Sequence, residues 1–208
     1  NGLISPDSEA NSAANEFGCS LAIDGNLLAV GAKDAYESGI AQVGAVYLFE
    51  LNSSNSTQVA RITASDGTAS DNLGYDVEVS GNLIVAGARN DDPAGKSNAG
   101  SAYVFRRESN GSITELAKLL HEDPQSSDYF GWQVAISGNM VAVGAERDDV
   151  IVSGSNYADA GSVTLFKLDG NGTATRTMTL TAPSPYYSCY FGCSVAMSGD
   201  MLAIGEWR

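Results

Sequence analysis

Basic residues are scarce in this chain. Only 11 Lys and Arg stand against 25 Asp and Glu in 208 residues, leaving a formal charge of −14. Binding a phosphate backbone needs a concentrated basic footprint, so nucleic acid is excluded as a partner. Histidine is scarcer still, with His121 the single one. No Gly-x-Ser-x-Gly elbow, no Gly-x-x-x-x-Gly-Lys-Ser phosphate loop and no spaced set of metal ligands accompanies it. Carboxylates are plentiful, but acid–base work requires one of them desolvated in a pocket. The sequence therefore assigns no catalytic residue, and the chain reads as a non-enzyme. Long apolar runs are missing as well: none approaches the roughly 18 to 20 residues that span a bilayer. No leader is visible, although a chain that opens inside a repeat can have lost one. Apolar residues at helical spacing are nowhere sustained, which excludes a helical fold.

What is present is a stretch that occurs four times: EFGCSLAIDGNLLAVGA from Glu16, NLGYDVEVSGNLIVAGA from Asn72, YFGWQVAISGNMVAVGA from Tyr129 and YFGCSVAMSGDMLAIGE from Tyr190. Each copy alternates apolar and polar residues, turns at Gly25, Gly81, Gly138 or Gly199, and closes on a second apolar run. That is the pattern of a β-hairpin, with Gly supplying the positive φ of a tight turn. Anchored on Phe17, Leu73, Phe130 and Phe191, the copies recur at 56, 57 and 61 residues. Between copies, GAVYLFEL, GSAYVFRR and GSVTLFKL predict a third strand, and QVARIT, ITELAKLL and ATRTMTLT a fourth. Four antiparallel strands repeated at such a period predict an all-β chain folded as a β-propeller, each sheet a blade packed on its neighbours.

The repeats divide the chain into 1–15, the last strand of a preceding blade; 16–71, 72–128 and 129–189, three complete blades; and 190–208, the first two strands of a fourth. About 3.5 blades are present. Standing alone, such an arc leaves two apolar blade faces in water, so the expectation is a longer chain, or a partner chain that supplies the remainder.

The copies FGCSLAIDGNLLAVGA with GAVYLF and YFGWQVAISGNMVAVGA with GSVTLF resemble FG-GAP repeats, the blades of integrin-α-type propellers and of many secreted proteins. The resemblance covers nearly the whole chain. It implies a parent of about seven blades, an extracellular or cell-surface location, and roles in adhesion or matrix assembly. Integrin-type blades often carry a calcium loop of the form Asp-x-Asp-x-Asp-Gly between the first two strands. Here that connection is only a tight turn, Ile23-Asp24-Gly25-Asn26 and its equivalents, so those metal sites do not carry over.

In an antiparallel blade the one-to-two and three-to-four loops share one end, and the remaining connections share the other. Sequons of the form Asn-x-Ser/Thr fall at Asn52, Asn55, Asn110 and Asn171, all in three-to-four loops. They are candidate N-glycosylation sites on exposed turns, although Asn, Ser, Thr and Gly are also ordinary turn formers. The opposite end is acidic: segments 1–16, 33–43, 64–72, 89–99, 121–129 and 146–160 hold 16 of the 25 acids against four bases. The in-register loops Arg-Asn-Asp-Asp and Glu-Arg-Asp-Asp make Asp91, Asp92, Asp148 and Asp149 candidate calcium ligands, with solvated loop acids as the alternative. No other cofactor is indicated.

Three cysteines are too few for a disulfide scaffold, and one must stay free or pair elsewhere. Cys189 and Cys193 bracket the entry into the fourth hairpin and are the candidate bridge. Buried thiols come next and a metal site last, since the one histidine lies a blade away. The phenylalanines at fixed strand positions read as interblade packing, and Tyr75 and Trp132 either as core or as residues facing a ligand at the axis. PSPYYSCYF, from Pro183, is the most aromatic stretch and a candidate contact surface. The leading reading is an extracellular, N-glycosylated adhesion, matrix or structural-assembly module that binds protein, glycan or further copies. The alternatives are the accessory propeller of a secreted enzyme, or a hydrolase or lyase at the acidic rim.

Overall fold

A computed structural model describes residues 15–53 and 55–207. The preceding strand expected over 1–15 lies, except for Asn15, outside the described residues. Each repeat begins with the hairpin read from the sequence: β1 (Phe17–Asp24) with β2 (Leu27–Ala32), then β3 (Ala45–Leu51) and β4 (Ser56–Ile62). The second sheet is β5 (Val77–Ser80), β6 (Leu83–Ala88), β7 (Ser101–Arg107) and β8 (Ile113–Leu119). The third starts with β9 (Phe130–Ser137) and β10 (Met140–Ala145). A small inserted hairpin follows, β11 (Val150–Val152) with β12 (Ser155–Tyr157), and then β13 (Ser162–Leu168) and β14 (Ala174–Thr181) complete the sheet. β15 (Ser194–Ser198) and β16 (Met201–Gly205) form a final two-stranded sheet. Within the sheets all strand pairings among the described residues are antiparallel, each strand beside its neighbour in the blade, and single parallel bridges, Gly44 to Leu73 and Gly100 to Phe130, join one blade to the next. Gly25, Gly81, Gly138 and Gly199 sit at φ 57–60° in the hairpin turns, where an L side chain is strained.

The sheets stack face to face, and the core lies between them. One cluster joins Val46, Leu48 and Ile62 of the first sheet to Leu73, Val77, Ile84, Tyr103 and Phe105 of the second. The next joins Val85, Val104 and Leu119 to Phe130, Val134, Val143 and Phe166 of the third. The first strands β1, β5, β9 and β15 contact one another in succession, the arrangement of inner strands around a propeller axis. Where the second strands β2, β6 and β10 meet the start of the next blade, no side chain fits: a Cβ on Gly31, Gly87 or Gly144 would collide with the carbonyl oxygen of Gly74, Gly131 or Gly192. Leu21 and Ile23 are 62% and 60% exposed, whereas Val77 and Val79, one repeat on, are buried against the preceding sheet.

The inserted hairpin is an addition to the long loop expected over 146–160. Ser153 and Gly154, both at positive φ, make its two-residue turn, and Val150 anchors it beneath Ala160, Ala182 and Cys189.

Candidate functional site at the acidic end of the blades

The two-to-three connections and the links to the next blade are laced together at one end. Leu73 N donates to Val43 O at 3.0 Å, Phe130 N to Ala99 O at 2.8 Å, and Phe191 N to Ala160 O at 2.8 Å. Each connection thus rests on the loop of the blade before it, which draws the Asp-Asp pairs toward the gaps between sheets. The two members of a pair part ways. Asp91 is buried and Lys118 Nζ lies 2.7 Å from its carboxylate; Asp92 is exposed and accepts from Asn98 N at 2.6 Å. Asp148 is buried near His121, while Asp149 accepts from Asp159 N at 2.9 Å and Asn156 Nδ2 at 3.3 Å. The first Asp enters a gap and the second organises its loop, so the four calcium candidates do not converge on one point. Among the described residues, the group that brings three His, Cys, Asp or Glu ligand atoms within 4.8 Å is His121, Asp128 and Asp148.

Two successive gaps share one architecture and differ in charge. Repeat register equates Tyr103 with Thr164 and Lys118 with Thr179, because each pair stands opposite in its third-to-fourth strand ladder. In the first gap Lys118 bridges Asp66 and Asp91 at 2.7 Å each, and Tyr103 OH donates to Asp66 at 2.7 Å. Burial lowers the affinity of Lys118 for its proton, but hydrogen bonds to Asp66, Asp91 and Tyr103 overcome it and raise the pKa. In the second gap Thr164 and Thr179 hydroxyls bond to each other at 3.2 Å. Among the described residues no ammonium reaches Asp148 there, and His121 replaces Ala64. Burial pushes Asp128 up to about 6 against the Gln125 N–H it accepts, and the Asp148 charge adds to the rise. Asp148 is also raised, chiefly by burial, with His121 opposing.

Nearer the axis runs a ladder of aromatic rings and guanidinium groups. Arg89 lies 4.0 Å from the Tyr75 ring centroid and 4.5 Å from that of Trp132; Arg147 lies 5.2 Å from Tyr129 and 6.0 Å from Tyr190. Tyr75 and Trp132 are half-buried, and their rings meet tilted at 46° with centroids 5.1 Å apart, so they are neither core nor free. Beside them a cavity of about 330 Å³ is lined by Trp132, Glu146, Arg147, Tyr190, Cys193 and Trp207.

A family model described as FG-GAP repeat matches residues 3–49, 56–105 and 113–166, more than half of the sequence. The chain belongs to the FG-GAP repeat family. No curated protein matches it. Among solved structures, a protein from Lactobacillus plantarum is similar over 81% of this chain and 42% of its own, at 14% identity and a TM-score of 0.50. A hypothetical selenium-binding protein from Sulfolobus tokodaii is similar over 74% of this chain and 38% of its own, at 9% identity and a TM-score of 0.46. The FG-GAP chain spans about two-fifths of the length of these two proteins, and the first likeness is one of fold.

The remaining sequence candidates of this FG-GAP chain are placed as follows. Asn52, Asn55, Asn110 and Asn171 are all exposed on three-to-four turns, away from the acidic loops. Asn110 Oδ1 accepts from Ser112 N at 2.9 Å and from Ser112 Oγ at 2.7 Å, linking the first and third residues of its sequon. In place of the expected Cys189–Cys193 bridge, both residues are free thiols, as is Cys19. Between them Tyr190 and Gly192 take positive φ and turn the chain, so Cys189 Sγ is buried and donates to Ala160 O at 3.1 Å while Cys193 faces the cavity. Tyr187 of the aromatic stretch is 68% exposed. Sequence reasoning missed the His121 group because its members join only when the blade connection folds onto the next blade's loop. It missed the arginine ladder too, although Lys33 and Arg89 recur in register and Arg147 stands one residue further along its loop.

Proposed function

We propose that this FG-GAP chain is an extracellular, N-glycosylated propeller module that holds protein or glycan partners in adhesion, matrix or structural assembly, without catalysing a reaction. The observation that carries this reading is the cavity beside the arginine–aromatic ladder. Its size falls in the range of small-ligand sites, and it offers flat rings with one cation and one anion, a lining suited to a sugar ring or a peptide side chain. The sequon turns point to the opposite end, where glycans would leave this surface clear. The alternative, a hydrolase or lyase at the acidic rim, would draw on His121, Asp128 and Asp148; their burial between blades supports holding over turnover.

The test is to produce the chain through a eukaryotic secretory pathway, compare intact mass before and after N-glycosidase, and screen it on glycan and matrix-protein arrays. The expected result is a glycosidase-sensitive mass excess, and a hit whose signal falls at least tenfold in Trp132→Ala with the fold retained. An unglycosylated product would sink the secretory reading. Array hits indifferent to Trp132→Ala would sink the assignment of the surface.

A further inference from the structure

His121 is nine-tenths buried, with a side-chain exposure of 9%. Its Nδ1 faces the carbonyl oxygen of Asp123 at 3.3 Å, an atom that only accepts, so Nδ1 carries the ring hydrogen. Nε2 lies 3.4 Å from the Asp148 carboxylate and has no hydrogen-bond partner. The two side chains face each other across a space wider than the 2.7–2.9 Å of a charge-assisted hydrogen bond. Asp128 brings a third donor within 4.8 Å. Beside them Ser162 Oγ is fully buried and bears on the Asp148 carboxylate. In the preceding gap the corresponding space holds the Lys118 ammonium against Asp91. The second gap kept its buried carboxylates, lost the lysine to Thr179, and gained an imidazole.

We infer that the gap between the second and third blades is a binding site for one divalent transition-type cation, held by His121 Nε2 and one carboxylate oxygen each of Asp128 and Asp148. The donor set selects the ion. One imidazole with two carboxylates suits Zn²⁺ and its neighbours, whereas Ca²⁺ prefers six to eight oxygens and gains little from nitrogen. The separation of His121 and Asp148 matches the roughly 3.3 Å between two ligands on a tetrahedral ion with bonds of about 2.0–2.1 Å. Asp128, whose Oδ2 accepts from Gln125 N at 2.6 Å, offers its carboxylate within 4.8 Å of the other two ligand atoms. The Nδ1–H to carbonyl bond is the outer support that metal-bound histidines generally have, fixing tautomer and ring plane. Ser162 Oγ or a water can complete the shell. The ion would tie the connection carrying His121 and Asp128 to the third blade's two-to-three loop, the role Lys118 has one gap earlier.

The experiment uses the whole chain, stripped with EDTA and dialysed at pH 7.5, titrated separately with ZnCl₂, MnCl₂ and CaCl₂ by calorimetry and by thermal unfolding. The expected result is one Zn²⁺ per chain and a raised Tm, with at least tenfold weaker affinity in His121→Ala. That variant should fold, because Ala64 and Ala182 occupy the equivalent positions. A second variant, Thr179→Lys, should place an ammonium at the carboxylates and abolish the Zn²⁺ response without lowering the metal-free Tm. Failure of Zn²⁺ to bind the unmutated chain overturns the proposal, as does an affinity unchanged in His121→Ala. A Co²⁺ complex with an intense near-ultraviolet thiolate band would locate the ion on Cys19, Cys189 or Cys193 and overturn it also. A Ca²⁺ response that persists in His121→Ala without a Zn²⁺ response would assign the effect to solvated loop acids.

Discussion

Asp76 has its carboxyl pushed up to about 6, chiefly by burial, with the Val134 N–H that it accepts at 2.8 Å pulling the other way and the Glu78 charge adding to the rise. The unfolded chain releases that proton near pH 4, so between about pH 4 and 6 the native state binds more protons and stability falls as pH rises. Above the folded pKa the penalty is complete. Asp76→Asn keeps an acceptor for Val134 and removes the charge. The variant should be more stable than the parent at pH 8 by up to roughly 2–3 kcal/mol, at 1.36 kcal/mol per pKa unit, and equal to it near pH 3.5. Urea unfolding at the two pH values checks this, and a variant less stable at pH 8 would mean that the ionised hydrogen bond to Val134 outweighs burial. The same scale explains the paired aspartates. Asp91 and Asp92 are indistinguishable as letters, yet one is buried against Lys118 and the other organises a loop.

At the scale of the strand, the blade-to-blade approach rests on a few glycines. Gly87 is in β6 with an ordinary strand φ, and its N–H donates to Asp76 O at 2.9 Å; a Cβ there would meet the backbone carbonyl of Gly131, which cannot swing aside. Gly87→Ala should destabilise by about 3 kcal/mol through overpacking, lowering Tm by roughly 6–12 °C at 2–4 °C per kcal/mol. Gly81→Ala is the comparison: its φ is 60° and its surroundings are open, so only the left-handed conformation is charged, about 1 kcal/mol. Calorimetric melting should rank Gly87→Ala well below Gly81→Ala, and the reverse order would remove the close-approach account. The third-to-fourth strand ladders also carry a register shift at equivalent places, Leu48/Phe49, Val104/Phe105 and Leu165/Phe166. A recurrent bulge adds twist, which each blade needs to pack on the next.

For the whole molecule, charge sorting dominates. The net −14 is concentrated at the loop end that carries the metal-type group and the arginine ladder, so like charges there repel across short distances. Raising NaCl from about 20 mM to about 500 mM shortens the Debye length from roughly 20 Å to under 5 Å and should raise Tm by a few degrees. Exposed pairs such as Arg176–Glu122 at 3.0 Å pull the other way because they are screened too. A Tm that falls with salt would mean such pairs outweigh the repulsion. Much of this organisation was legible in the chain: the hairpins at Gly25, Gly81, Gly138 and Gly199, the third and fourth strands, and the exposed sequon turns all follow from local rules. The β11–β12 hairpin was not read, although Val150-Ile151-Val152 followed by Ser153-Gly154 is a short strand and turn; the acidic letters around it masked the signal. The cysteine pairing failed for a different reason, since nearness in sequence says nothing about side-chain direction once Tyr190 and Gly192 reverse the chain.

Periodicity and turn chemistry act over a few residues, so alternating apolar runs and glycine turns settled the strands, their order and the FG-GAP character from the letters alone. Which carboxylate is buried, which cation neutralises it, and where an imidazole finds itself between two acids depend on contacts between residues a blade apart. Those contacts exist only after the sheets have stacked, because burial and close charge pairing are properties of the assembled gap and not of any segment that forms it.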